Sequence, residues 1–395
     1  MHTIKKRGFI FTQVDKLAIT SFITSIGAAL VGTIWAIYLE SFLHNASYVG
    51  FLTTLFTIVA LISCVAIIPL LEKNSKSKIY ATSLLLFGIS YILFSILTNL
   101  YAVIILGVFA AVIATLKVTS FGIILRDKSE DKSVSQNLGL IYTFMNLSWL
   151  IGPLIAGFAA QKYGISKVFL LASVLIFISL SLFVIFKIKD KRVEKRIDRN
   201  LFKLLFNFLK DKNRFIAYCL NGGINFWWVL IYIYIPIYIV ESGLGSEKVG
   251  YFLFAVIIPL VLLEYYFGKV AAKKGFKKMF VSGYAILGIG ALACFFMQDL
   301  YIILLILALA SFGMAMIEAT TDAYFFDLIT KEQRDKFYGP YNTAIDISNA
   351  IATLFGAIIL LFLPFKFIFI LFGTFMLIFA LLSLKIKNII EGKKN

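Results

Sequence analysis

The chain states its pattern twice. Tyr48-Val49-Gly50-Phe51 is answered two hundred residues later by Lys248-Val249-Gly250-Tyr251. Leu138-Gly139, Thr143, Asn146 and Ser148 return as Tyr338-Gly339, Thr343, Asp346 and Ser348. Lys73 and Lys78 recur as Lys273 and Lys278, and Asp127 as Asp327, at the same offset. A period this long is not that of a solenoid, whose units run to roughly 20–50 residues. In an apolar chain it implies two homologous membrane bundles, and duplicated bundles of that kind hold solute sites between their halves.

The composition agrees: hydrophobic residues make up 61% and the mean hydropathy is +0.92. Apolar runs of roughly the 20 residues that cross a bilayer occur twelve times, near 17–39, 49–71, 79–98, 101–125, 136–160, 165–186, 215–240, 249–271, 279–297, 301–328, 338–362 and 366–386. They are numbered here as spans one to twelve. The one sizeable hydrophilic interruption, 187–214, divides them six and six. Within it, residues 201–209 place Leu201, Leu204, Leu205 and Phe208 on one face, the pattern of a helix lying on a membrane surface. Lys5-Lys6-Arg7 precedes a full-length span with no small-residue cleavage pattern, so no cleavable leader is expected.

The net charge of +17 does not point to nucleic acid, because it is sorted by side. With alternate loops assigned to opposite faces, one face collects 33 of the 38 Lys and Arg, and the other holds Lys162, Lys167, Lys248 and Lys366. That is the positive-inside pattern: a multi-pass plasma-membrane protein with both termini cytoplasmic, its basic face suited to anionic lipid. Cys64, Cys219 and Cys294 lack paired spacing, and His2 and His44 lie outside the apolar spans, so neither a disulfide framework nor a metal site is indicated. No catalytic His, Cys or Asp cluster and no GxxxxGK[ST] loop occurs, which speaks against a membrane enzyme and against ATP-driven pumping. Many Lys and Ile residues fit an AT-rich prokaryotic genome.

The loops carry a resemblance. Gly268-Lys-Val-Ala-Ala-Lys273-Lys-Gly275-Phe-Lys277-Lys278, between spans eight and nine, resembles the cytoplasmic-loop signature of the major facilitator superfamily, with Ala272 in place of its acid. The counterpart between spans two and three keeps Glu72, Lys73 and Lys78 but loses both glycines. Asp327 to Gly339 is similar to the loop joining spans ten and eleven in that superfamily. The fifth span resembles the signature of its proton-coupled drug antiporter branch: Gly139, Ser148, Gly152-Pro153 and Ala156-Gly157. The resemblance implies the major facilitator fold, twelve transmembrane helices as two pseudo-symmetric six-helix bundles. It also implies that the small-residue face of span five seals the bundle against span eight or eleven, through both Gly152 and Gly157. The arginine that the branch carries early in span four is absent; Gly107 lies near that place. A generic close-packed helix pair would show the same small residues.

Ionisable groups inside spans are costly and mark function. Lys117 in span four, Glu318 in span ten and Asp346 in span eleven lie about 13, 16 and 12 Å from the basic ends of their helices, at about 1.5 Å per residue. Spans four and ten are repeat equivalents and, as the resemblance implies, both line the central cavity, so a Lys117–Glu318 pair across the halves is expected, as a static latch or as a carboxylate that exchanges a proton when the latch opens. Asp322 shares a face with Glu318. Asn342, Asp346, Asn349 and Thr353 form a polar stripe on span eleven. Glu264, one turn before Gly268, is expected to partner the basic loop. Ser21 and Ser25 in span one match Asn221 and Asn225 in span seven, whose face continues to Trp228 and Tyr232. That face suits a pocket for a flat or amphipathic solute and equally suits helix packing. Trp35 and Tyr38 read as interfacial anchors.

The sequence thus describes an all-α integral membrane protein. Residues 1–186 form one six-helix bundle, 187–214 a basic cytoplasmic linker and 215–395 the second bundle. The function expected is secondary transport by alternating access, as proton-coupled efflux of hydrophobic or amphipathic small molecules, by a monomer without cofactor. An uptake symporter or facilitator for a small polar solute is the alternative, and a non-transporting sensor or scaffold lies outside transport.

Overall fold

The computed structural model describes residues 12–128, 134–188 and 201–387. They form α1 (Gln13–Leu43), α2 (Ala46–Ala66), α3 (Ile68–Lys73), α4 (Lys76–Ile96), α5 (Leu100–Lys128), α6 (Val134–Tyr163) and α7 (Ile165–Ile185). Then follow α8 (Leu201–Leu209), α9 (Lys212–Val229), a π-helical turn (Leu230–Tyr234) and α10 (Ile235–Glu241). The chain continues with α11 (Ser246–Lys274), α12 (Phe276–Phe296), α13 (Leu300–Leu328), α14 (Lys331–Phe362) and α15 (Phe367–Ser383). Eleven spans are long and apolar enough to cross a membrane, α9 to α10 counting as one; the twelfth, α15, is apolar but has 17 residues. It is shorter than expected because Pro364 precedes it and the chain leaves the helix at Leu384.

The repeat reappears as geometry. Residues 76–96 and 100–128 are helical, and so are 276–296 and 300–328, the same bounds moved by two hundred. In the first half α4 packs on α5 and α7 while α1 packs on α6 and α7; in the second α12 packs on α13 and α15 while α9 packs on α14 and α15. Each half has its own apolar core, one around Tyr38, Phe94 and Phe169 and the other around Trp227, Tyr284 and Phe372. Trp35 and Tyr38 belong to the first core and not to the membrane interface. Trp35 lies edge-on to Phe94 at 5.3 Å, and the Tyr38 hydroxyl donates to the Phe94 carbonyl at 2.9 Å.

Local chemistry explains the breaks. Gly164 and Gly275 sit between consecutive helices at φ of 87° and 90°, values that L side chains rarely adopt. Span two ends early because Pro69 opens α3 one residue beyond its end. In span seven, Pro236 has no N–H to give the Tyr232 carbonyl, and the preceding turn loosens to π geometry, with Ile235 N–H reaching the Leu230 carbonyl. Helix α8 does not lie free on a surface: Phe208 is fully buried among Tyr218, Phe325 and Phe337, and Arg214 stacks on Phe337 at 4.7 Å.

The halves meet chiefly through two helix pairs, α2 with α14 and α6 with α11, with α1 also against the π turn and α10. Both pairs are tight at one end, the end bearing the 43–46 and 241–246 turns. There the Ser47 hydroxyl donates to the Ala357 carbonyl at 2.6 Å, the Thr54 and Thr353 hydroxyls bond at 2.8 Å, and the Tyr234 hydroxyl donates to the Thr353 carbonyl at 2.7 Å. A Cβ on Gly157 would sit 2.8 Å from the Gly250 Cα and from the Ser246 carbonyl oxygen, so these backbones touch. Further along the same α6 face, toward the basic end, Asn146 and Thr143 are exposed where Pro153 and Gly157 were buried. The molecule is sealed at one end and parted toward the other.

Candidate functional site

A cavity of about 450 Å³ lies above the seal. Asn225, Trp228 and Tyr232 enter it from α9 and the π turn, spaced three and four apart and so on one helix face. Glu264 enters from α11, Glu318 from α13 and Asn349 from α14, while Asn146 and Trp149 come from α6 of the other half. The Trp228 indole N–H donates to Glu318 Oε1 at 2.8 Å. Trp149 meets Tyr232 edge-on at 5.4 Å across the halves, and Tyr232 lies 5.5 Å from Trp228. The result is a carboxylate held by an indole within an aromatic and amide wall.

A second cavity of about 320 Å³ opens among α1, α2, α4 and α5. Trp35, Phe56, Phe87 and Tyr91 line it with Ala111 and Ala114, and Asp346 of α14 reaches it. Asn349 lines both cavities.

Lys117 and Glu318 do not pair. The Lys117 ammonium stands 4.5 Å from the Phe87 ring centroid, and no ion pair joins it to Glu318 among the described residues. The repeat itself explains this: the equivalent of Lys117 is Ile317, not Glu318. Ile317 is fully buried against Gly283 of α12, and Lys117 likewise turns to α4 inside its own half. One residue rotates the side chain by about 100° on a helix, enough to send Glu318 to the cavity and Lys117 away from it.

Of the remaining expected residues, Asn225, Trp228, Tyr232, Asn349, Glu318 and Asp346 line one cavity or the other. Asn221 is buried and donates to the Tyr341 carbonyl at 3.4 Å, joining α9 to α14. Ser21 is buried and bonds the Ala18 carbonyl at 3.1 Å, and Ser25 is buried in α1. Asn342 is half-buried, and Asp322 is exposed one turn from Glu318 toward the basic end. Glu264 lines the cavity beside Glu318 and, among the described residues, makes no ion pair with the basic loop. Glu72, Lys73 and Lys273 are exposed at the basic end; Gly275 caps α11 there, and Gly268 has only the Ala319 carbonyl near its open side, at 3.8 Å. Gly152 packs on Ala29 of α1 and not on α11, because five residues turn a helix by about 140° from the Gly157 face. Pro153 shares that face, its carbonyl against Gly250. The surroundings of Gly139 lie outside the described residues. Sequence reasoning did not place Asn146 and Trp149 in the site, although Asn146 stands opposite Asp346 in the repeat.

The family model of the Major Facilitator Superfamily matches residues 17–263 and 243–392. The chain belongs to this superfamily. A curated relative, an uncharacterized MFS-type transporter of Methanocaldococcus jannaschii, is 23% identical over 346 residues, covering 86% of this chain and 89% of its own. The fold resembles that of a POT family transporter solved with 5-aminolevulinic acid, at TM-score 0.76 and 13% identity over 96% of this chain and 97% of that one. It also resembles the nucleoside transporter NupG, at TM-score 0.74 and 12% identity over 95% and 100%. At such identities these likenesses concern the fold.

Proposed function

We propose that this protein is a proton-coupled secondary transporter that exports hydrophobic or amphipathic small molecules by alternating access. The observation that carries the reading is Glu318, a half-buried carboxylate in a cavity walled by both halves. An acid there meets cargo and solvent in one conformation and is sealed from one side in the next, so its protonation is tied to the exchange of states. The charge asymmetry of the loops makes the parted end cytoplasmic, so the conformation described is inward-open. Export is favoured by span five, where Pro153, Gly157 and Gly250 bring two backbones together and close the outer side to leak. Uptake of a small polar solute is the competing direction, and the asparagines of the cavity would serve it. Residues 1–186 and 215–395 act as the two rocking bodies, with 187–214 as the basic linker between them.

The test is transport into everted vesicles with and without a pH gradient. Glu318→Gln is expected to abolish gradient-driven accumulation while leaving substrate exchange down its own gradient, since an amide carries no exchangeable proton. Full gradient-driven transport by this variant overturns the assignment and passes the role to Asp346 or Asp322. Accumulation driven only in the opposite orientation overturns export.

A further inference from the structure

The two cavities share a wall and differ in chemistry. The larger carries two carboxylates, Glu318 and Glu264, with Trp149, Trp228 and Tyr232, and among the described residues no Lys or Arg lines it. The smaller is walled by aromatic rings and by Gly107, Ala110, Ala111 and Ala114 of α5, a stripe whose small side chains keep the space open. Asn349 stands at both, one turn from Asp346 on α14.

We propose that the two chambers form one binding site for an elongated amphipathic organic cation, its charged head in the α9–α11–α13 chamber and its apolar tail in the α1–α2–α4–α5 chamber. This rests on the transport reading above and adds the sign and shape of the cargo. The sign follows from the groups facing the combined space. Glu264 and Glu318 face the head, Asp346 and the Phe87-stacked Lys117 stand by the tail, and Asp322 lies a turn beyond Glu318. Three carboxylates thus line the combined space, and among the described residues no Lys or Arg lines it. Indole and phenol faces attract a quaternary or protonated amine, and the Glu318 oxygen not bonded by Trp228 is left for it. The shape follows from volume: about 450 and 320 Å³ are each at or near the lower end of ordinary ligand pockets, which span roughly 300–1,000 Å³. A compact ion needs only the first chamber; a chain or flat ring attached to it enters the second past Asn349.

The experiment uses the full chain, purified, and n-alkyltrimethylammonium ions from butyl to dodecyl, with alkyl sulfonates and neutral alkyl ethers of matching length. Tryptophan fluorescence reports both chambers, since Trp149 and Trp228 line one and Trp35 the other. Cation affinity is expected to rise by up to about fourfold per added methylene until the second chamber is full, with sulfonates and ethers at least tenfold weaker. Ala111→Phe, which fills the tail chamber, is expected to flatten the length dependence and spare the butyl ion. Glu318→Gln is expected to weaken the preference for cation over ether several-fold, Glu264 and Asp346 retaining the remainder. Should Ala111→Phe fail to fold, the wild-type length series decides alone. Equal or tighter binding of sulfonates or ethers, affinity independent of length, or no binding of any cation overturns the proposal. Vesicles that carry a neutral or anionic solute while the cations fail to bind sink this inference and leave the transport reading standing. Length-dependent cation binding without any transport does the reverse.

Discussion

At the scale of single residues, position along the helix matters more than residue type. Lys117 and Glu318 looked like partners because both are charged and both sit deep in equivalent spans. The repeat aligns Lys117 with Ile317, and that single step sends the two charges to different neighbours. A lysine stacked on Phe87, with no carboxylate partner among the described residues, gains little from its charge, because a buried unpaired ammonium keeps its desolvation cost. Lys117→Met is therefore expected to leave the thermal unfolding midpoint unchanged or raise it by a few degrees; a marked drop would reveal an ion pair formed in another conformation. Gly157 is the opposite case. A leucine there must push apart the Gly250 backbone, which cannot yield as a side-chain tip can. Overpacking of roughly 1–3 kcal/mol is expected to lower the midpoint of Gly157→Leu and to leave the outer side leaky to protons, measured as dissipation of a pH gradient in proteoliposomes. Trp35 shows why some site residues were illegible. A tryptophan near a span end has the signature of an interfacial anchor, and only the packing of Phe56 and Phe94 around it turns it inward.

At the scale of elements, the spans and their halves were legible because twenty apolar residues and a fixed offset survive any local irregularity. The irregularities were not. Period counting carries the Asn221, Asn225, Trp228 and Tyr232 face through span seven but does not announce a π turn. That turn carries Tyr232 and Tyr234, which, two residues apart, leave the helix on nearly opposite sides. One lines the polar chamber and the other is wedged at Gly50 and Gly356 in the seal. The Tyr234 bond to Thr353 lies within one half, whereas Ser47→Ala loses a hydroxyl bond to the Ala357 carbonyl that crosses the halves. At the roughly 0.6 kcal/mol average for such bonds in membranes, Ser47→Ala is expected to shift the balance about threefold away from the sealed state. Alkylation of a cysteine introduced at Thr54, on a background lacking the native cysteines, would measure the shift as faster labelling from the outer side.

At the scale of the whole molecule, the proposed cycle takes the two copies of the repeat as the two bodies that alternate. Residues 1–186 and 215–390 are expected to superpose about an axis along the membrane normal, with Gly139 on Gly339, in an experimental structure of either state. A disulfide between cysteines placed at Ser47 and Ala357 is expected to stop transport reversibly, since it fixes the sealed end. One feature of that end has an electrical consequence. The hydrogen bonds and backbone contacts that close it are made by hydroxyls, carbonyls, glycines and a phenol, while two nearby charges, Glu40 of α1 and Glu241 of α10, face each other across the halves as like charges. Breaking and remaking those bonds and contacts moves no elementary charge through the membrane field, where each would be worth about 2.3 kcal/mol per 100 mV. Voltage dependence of the proposed cycle would then enter through charged groups alone: the carboxylates of the chambers with whatever ions they hold, and Glu40 and Glu241 at the rim of the sealed end.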